Sequence, residues 1–157
     1  MKKVLVVGPW AGTGGVHTFM RNLCIHSNLK ERWNHESFDL SRPPKKTIDN
    51  NAYNFLSSDP KRLVKSLLVT GGHLAKFPLE VRKADVLQIQ ASDHYAFWEA
   101  CIYLLLSKSK GKPVSMRFGG VFDVFYENSK PKTKRVIENM LQRPDTIVVQ
   151  SENWKAF

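Results

Sequence analysis

Apolar residues recur along this chain in two rhythms. Residues 4–7 (VLVV) form a continuous, mostly β-branched run closed by Gly8, the pattern of a strand buried on both faces of a parallel sheet. Val16, Phe19, Met20 and Leu23 then fall at helical spacing, which predicts a helix to about Ser27. A second strand is predicted from His35 to Leu40. Asp59-Pro60 sets an N-cap acid before a proline at the first helical position, and the helix it starts is predicted through Leu68, with Gly71-Gly72 interrupting it. Residues 85–90 (DVLQIQ) read as a strand. Residues 95–106 are apolar nearly all round, as in a buried helix. Residues 114–118 read as a strand broken by Gly119-Gly120, Pro131 opens a helix through Leu141, and 145–150 (DTIVVQ) form the last strand. Ser151 looks like the cap of one more helix. Residues 41–59, with Pro43, Pro44 and several Asn and Asp, are predicted to be a loop.

Strands alternating with helices imply right-handed βαβ units. The expected fold is therefore α/β, a Rossmann-like parallel sheet with helices on both faces, forming a single domain over residues 1–157. Ligands of such sheets bind beyond the carboxyl ends of the strands. That rule directs attention to the loops 8–15, 91–94 and 119–127, and to the turn after Gln150.

Composition narrows the classes. The chain has 157 residues, 42% of them hydrophobic, which excludes a disordered or collagen-like polypeptide. Its opening MKK and short apolar run mimic a secretory leader, but Gly8 and Pro9 end the run too early. Cys24 and Cys101 have no metal-ligand spacing and sit in apolar settings, in keeping with a reducing cytoplasm. The 24 basic against 14 acidic residues leave a formal charge of +10, which suits an anionic partner: phosphorylated substrate, anionic membrane surface or nucleic acid. No recognised nucleic-acid motif accompanies the charge, and the aromatic segment from Asp123 to Glu127 carries acids.

The strongest local chemistry lies in VLVVGPWAGTGGV. Glycines let the backbone approach a ligand, and the following helix aims its N–H groups and positive end at the loop. Gly12 and Gly14 match the first two positions of a dinucleotide fingerprint, but His17 stands where the third glycine is required. No Gly-Lys-Ser/Thr follows for a P-loop. Asp39, closing the second strand, could imitate a ribose-binding acid. No Cys-x-x-Cys, His-Glu-x-x-His or Asp-x-Asp pattern is present, and no metal is expected.

Read together, VLVVG…GTGGVHTFMRNL, ADVLQIQAS, KPVSMRFGG and DTIVVQSE, in that order, make the chain resemble the N-terminal half of a GT-B glycosyltransferase of group 1, family 4. The resemblance covers most of the chain. It implies the acceptor-binding half of a two-domain hexosyltransferase, retaining by analogy. Such an enzyme moves sugar from a nucleotide-diphosphate-sugar donor to a hydroxyl of a polysaccharide or lipid-linked acceptor. The nucleotide-sugar itself is a co-substrate, and no cofactor is implied. The C-terminal nucleotide-sugar domain would be absent, since the seven glutamates contain no pair at the spacing of that half's signature. The protein is expected in the cytoplasm, with the inner membrane face as a place where its basic surface would meet anionic lipid. The alternative function is a non-enzymatic basic module that binds nucleic acid or a nucleotide.

By this resemblance Gly12, Gly14, Gly15 and Val16 would face the donor. His17, Gln90, Arg117, Gly119, Gly120, Asp123 and Tyr126 would line the acceptor pocket. Gln88 and Gln90 stand where many members carry histidine after the fourth strand, and Phe118 where they carry one after the fifth. His94, on the neighbouring loop, is the expected acid–base residue, or else a helix-start histidine facing water. Arg117 could grip a phosphate or carboxylate bidentately, or pair with Asp93 or Asp123. Asp123 and Glu127 could present oxygens to sugar hydroxyls. Phe118, Phe122, Phe125 and Tyr126 could stack on a ligand, with at least two of them expected in the core.

Overall fold

The computed structural model describes residues 1–10, 15–26, 32–41, 60–92 and 94–150. Its elements are β1 (Lys2–Gly8), α1 (Gly15–His26), β2 (Trp33–Asp39), α2 (Pro60–Lys83), β3 (Val86–Ala91), α3 (His94–Ser109), β4 (Val114–Phe118), α4 (Phe122–Glu127), α5 (Pro131–Leu141) and β5 (Thr146–Val148). The strands form one parallel five-stranded sheet in the order β2-β1-β3-β4-β5. This is the expected α/β class. The order is the flavodoxin-like one, in which the chain's winding reverses between β1 and β3 and opens a crevice at their carboxyl ends.

Period-two alternation divides each strand between two helix layers. Leu5, Val7, Leu87, Ile89, Ala91, Val114, Met116 and Phe118 meet Phe77 and Val81 of α2, Phe97, Tyr103 and Leu104 of α3, and Ile137 of α5. At the centre of this layer the rings of Phe77 and Tyr103 meet edge-on with centroids 4.6 Å apart, and Phe38 lies 5.2 Å from Phe77. On the opposite face Val4 and Val6 pack with Met20 of α1, backed by Phe19, Leu23 and Trp33. By the same alternation, Gly8, Gln90 and Arg117 lie on the α1 side.

At the amino edge of the sheet Asp145 ties three elements together. It accepts from Lys108 Nζ at 2.9 Å and from the Val114 N–H at 2.7 Å. This carboxylate fixes the end of α3 against the start of β4, far from the carboxyl edge.

Two predicted boundaries are corrected. The helix from Pro60 continues to Lys83, through Gly71-Gly72 and Pro78. Each helical glycine costs about 1 kcal/mol relative to alanine, but stopping there would forfeit the burial of Phe77, Val81 and Ala84, all at most 1% exposed. The segment after Gly119-Gly120, read as loop, contains α4, because Phe122 and Phe125 recur at helical spacing and both are buried. The predicted loop across 42–59 and the helix after Ser151 lie outside the described residues. Among the described residues no helix is long and apolar enough to cross a membrane.

Candidate anion-binding site at the carboxyl edge

Parallel register makes Gln90 and Arg117 neighbours. They are partners on β3 and β4, one step before Ala91 and Phe118 end those strands. The Arg117 guanidinium donates from Nη1 to Gln90 Oε1 at 3.2 Å. Its Cζ stands 3.9 Å from the centroid of the Phe19 ring of α1. Among the described residues no carboxylate pairs with it. Burial pushes the guanidinium's pKa down, the sign of a cation partly stripped of water with no opposing charge to offset the loss.

Gln90 is 6% exposed, and its Nε2 is buried without a hydrogen-bond partner. Such a donor is costly unless something accepts from it. Its stem crosses the end of β1, where a Cβ on Gly8 would come 2.9 Å from Gln90 Cβ and 2.7 Å from Met20 Sδ. Gly119 closes the cradle. A Cβ there would meet Gln150 Nε2 at 3.2 Å, Val16 Cγ2 at 3.6 Å and Arg117 Nη1 at 3.8 Å. The amide of Gln90 therefore ends at the guanidinium, which itself lies beside the bend after β4. His17, in that first turn, also holds a buried Nδ1 without a partner.

The structure thus brings Val16, Gln90, Arg117 and Gly119 together, with His17 in the adjoining turn. Gly15 opens α1, exposed, with nothing within 4 Å of where its Cβ would stand. Gly12 and Gly14 lie outside the described residues, as does Asp93. Gly120 takes a left-handed φ of 76° at the bend. The remaining residues are turned elsewhere. His94, exposed at φ 47°, lays its ring 4.9 Å from that of Phe125 in α4. The Tyr126 hydroxyl donates to Glu138 of α5, with Lys134 Nζ 5.0 Å above its ring. Asp123 sits half-buried in the first turn of α4 and Glu127 is exposed at its end. Phe118, Phe122 and Phe125 belong to the core. Asp39 accepts from the N–H groups of Trp10 at 2.9 Å and Ser41 at 2.7 Å. Its carboxylate fastens the exits of β1 and β2 to each other.

Sequence reasoning singled out Gln90 and Arg117 but not their supports, Phe19, Gly8 and Gln150. Phe19 reads as an ordinary apolar helix position. The available signal was that Gly8, Gln90 and Arg117 each stand at a strand end with matching parity.

No family model and no curated protein matches the chain. Solved structures similar to it include a conserved protein from Enterococcus faecalis V583, with a TM-score of 0.49 at 12% identity over 98% of this chain and 94% of that one. FerB from Paracoccus denitrificans, a flavoenzyme NAD(P)H:(acceptor) oxidoreductase, gives 0.39 at 11% identity over 97% and 76%. A protein from Klebsiella pneumoniae assigned as a quinone reductase gives 0.45 at 12% identity over 99% and 80%. The two whose activity is named are oxidoreductases. Neither is a glycosyltransferase, and the GT-B family 4 resemblance is corrected, with the assignment as a sugar-transferring enzyme; the alternative of a nucleic-acid module finds no support here either. The expectation of no cofactor is withdrawn with the glycosyltransferase reading that implied it. The order of short strands and glycine bends on which the resemblance rested is common to doubly wound sheets, so it specified the layering and not the chemistry.

Proposed function

We propose that the chain binds the phosphate of a nucleotide cofactor at the β1/β3 switch point and serves electron or hydride transfer. Flavin mononucleotide is the candidate that the sheet order favours. The observation that carries the reading is Arg117: a part-buried guanidinium held by a neutral amide, with no carboxylate on it among the described residues. The buried Gln90 Nε2 adds a second donor lacking an acceptor, and the start of α1 adds the positive end of a helix dipole. All three call for oxygens bearing negative charge.

The residues present fit a phosphate. Arg117 would hold it by charge and by its planar fork, Gln90 by its amide, and Gly119 by leaving room for the approach. Gln150, whose Nε2 lies beside Gly119, would be a further donor at the margin. A bound flavin would supply the redox chemistry. The protein's part is to bind, orient and keep water from the anion. The net charge of +10 favours encounter with such a ligand. Cys24 and Cys101 are unpaired thiols, in keeping with a cytoplasmic home.

Titration of flavin mononucleotide fluorescence with the purified chain tests this. Saturable quenching, competed by inorganic phosphate and lost in Arg117→Met, is expected. Unchanged fluorescence, or equal quenching by wild type and Arg117→Met, would overturn the proposal.

A further inference from the structure

We infer that Gln90 is a positioning residue that selects a tetrahedral oxyanion, by fixing the Arg117 fork while leaving its charge uncompensated. This rests on the phosphate reading above and names the residue that makes the site specific.

The argument begins with the choice of an amide. A glutamate at position 90 would reach Arg117 just as well and would form a part-buried ion pair, cancelling the charge at the switch point. Glutamine accepts one N–H at 3.2 Å and cancels nothing. The guanidinium has five N–H donors. Gln90 occupies one, and the Phe19 ring, 3.9 Å from Cζ, restrains the plane. The remaining donors keep a fixed orientation, which lowers the entropy lost when an anion binds.

Gln90 is itself fixed. It is 6% exposed and lies across Gly8, where any Cβ would come within 3.0 Å of its stem. With Oε1 committed to Arg117, Nε2 must be the other amide atom, and it is buried without a partner. A ligand that fills both prongs of the Arg117 fork and also accepts from the amide needs three oxygens. A phosphate or sulfate has an oxygen to spare after engaging both prongs, and a carboxylate does not. The donor set therefore distinguishes the two anion shapes.

Sulfate, inorganic phosphate and acetate are the probes, followed by the Arg117 Nε–H resonance in wild type, Gln90→Met, Gln90→Glu and Arg117→Met, with thermal unfolding recorded for each. Wild type is expected to bind sulfate and phosphate and to bind acetate at least tenfold more weakly, since a hydrogen bond to a charged group is worth about a tenfold factor or more. Gln90→Met should keep the fold, weaken phosphate about tenfold and lose the preference over acetate. Gln90→Glu should bind sulfate most weakly at neutral pH and regain it as the pH falls through the new carboxyl's titration, whereas wild type, facing a sulfate that stays dianionic, should show no such gain. If Gln90→Glu does not fold, Gln90→Met decides alone. Wild-type affinity and anion preference in Gln90→Met would overturn this inference while leaving the phosphate site standing. Failure of wild type to bind sulfate and phosphate, or equal binding by Arg117→Met, would overturn both.

Discussion

Gln90 occupies the space that a side chain at position 8 would need: an alanine Cβ on Gly8 would stand 2.9 Å from Gln90 Cβ and 3.0 Å from its Cγ. The glycine is required by this crossing. In Gly8→Ala, Gln90 or Met20 must move, and we expect a loss of about 1–3 kcal/mol in urea unfolding, the usual cost of overpacking. Phosphate affinity should fall with it. Gly15→Ala, with open space around its Cβ, should change stability by no more than about 0.5 kcal/mol.

Arg117→Lys should not rescue binding. The ammonium cannot present a planar fork or lie flat on Phe19, so phosphate affinity is expected to drop by about tenfold or more although the charge is kept. Calorimetric titration of both proteins with phosphate reads this directly.

The Phe77 side chain fills the middle of the larger layer, fully buried between Tyr103 and Phe38. Phe77→Ala should cost about 3–5 kcal/mol, measured by denaturant unfolding. It should leave the anion site's preference for phosphate over acetate intact.

Asp145 titrates below the ordinary carboxylate range, chiefly because Lys108 donates to it and also because the Val114 N–H does. A depressed pKa means that the unfolded chain takes up the proton first as the pH falls. The stabilisation is therefore complete above the normal value near ~3.9 and is lost as the pH drops through the folded one. Its size is modest for so exposed a pair. Urea unfolding between about pH 2 and 5 should show a shallower pH dependence in Asp145→Asn than in wild type.

Burial pushes the Cys101 thiol up to about 12 and also raises the half-buried Cys24. In the native protein at pH 8, iodoacetamide should therefore alkylate Cys24 before Cys101, and both should react once the chain is unfolded. Peptide mass mapping gives the order.

Much of the fold was legible because its determinants are local. The VLVV run, the Val114–Phe118 strand and the Pro131 helix each carry their own periodicity and boundary residues, and the structure returns them with small shifts. The long α2 was not legible at Gly71-Gly72, because what carries it past the glycines is the distant packing of Phe77 and Val81 on Leu5, Val7 and Leu87. The site divides the same way. Gln90 and Arg117 were visible as polar residues at strand ends, but their pairing follows from the β3–β4 register. The support from Phe19 follows from how α1 lies on the sheet, and the passage over Gly8 from the parallel pairing of β1 with β3. His94 and Tyr126 shared the right loops in sequence, yet packing against Phe125 and Glu138 turns them toward α4 and α5.

The most direct measurement is a phosphate titration followed by amide and arginine resonances across the whole chain. Shifts centred on Val16, Gln90, Arg117 and Gly119, saturating together with one affinity, are what the account predicts. Shifts confined to the lysine-rich surfaces at 108–112 or 130–135, with the Arg117 and Gln90 signals unmoved, would contradict it.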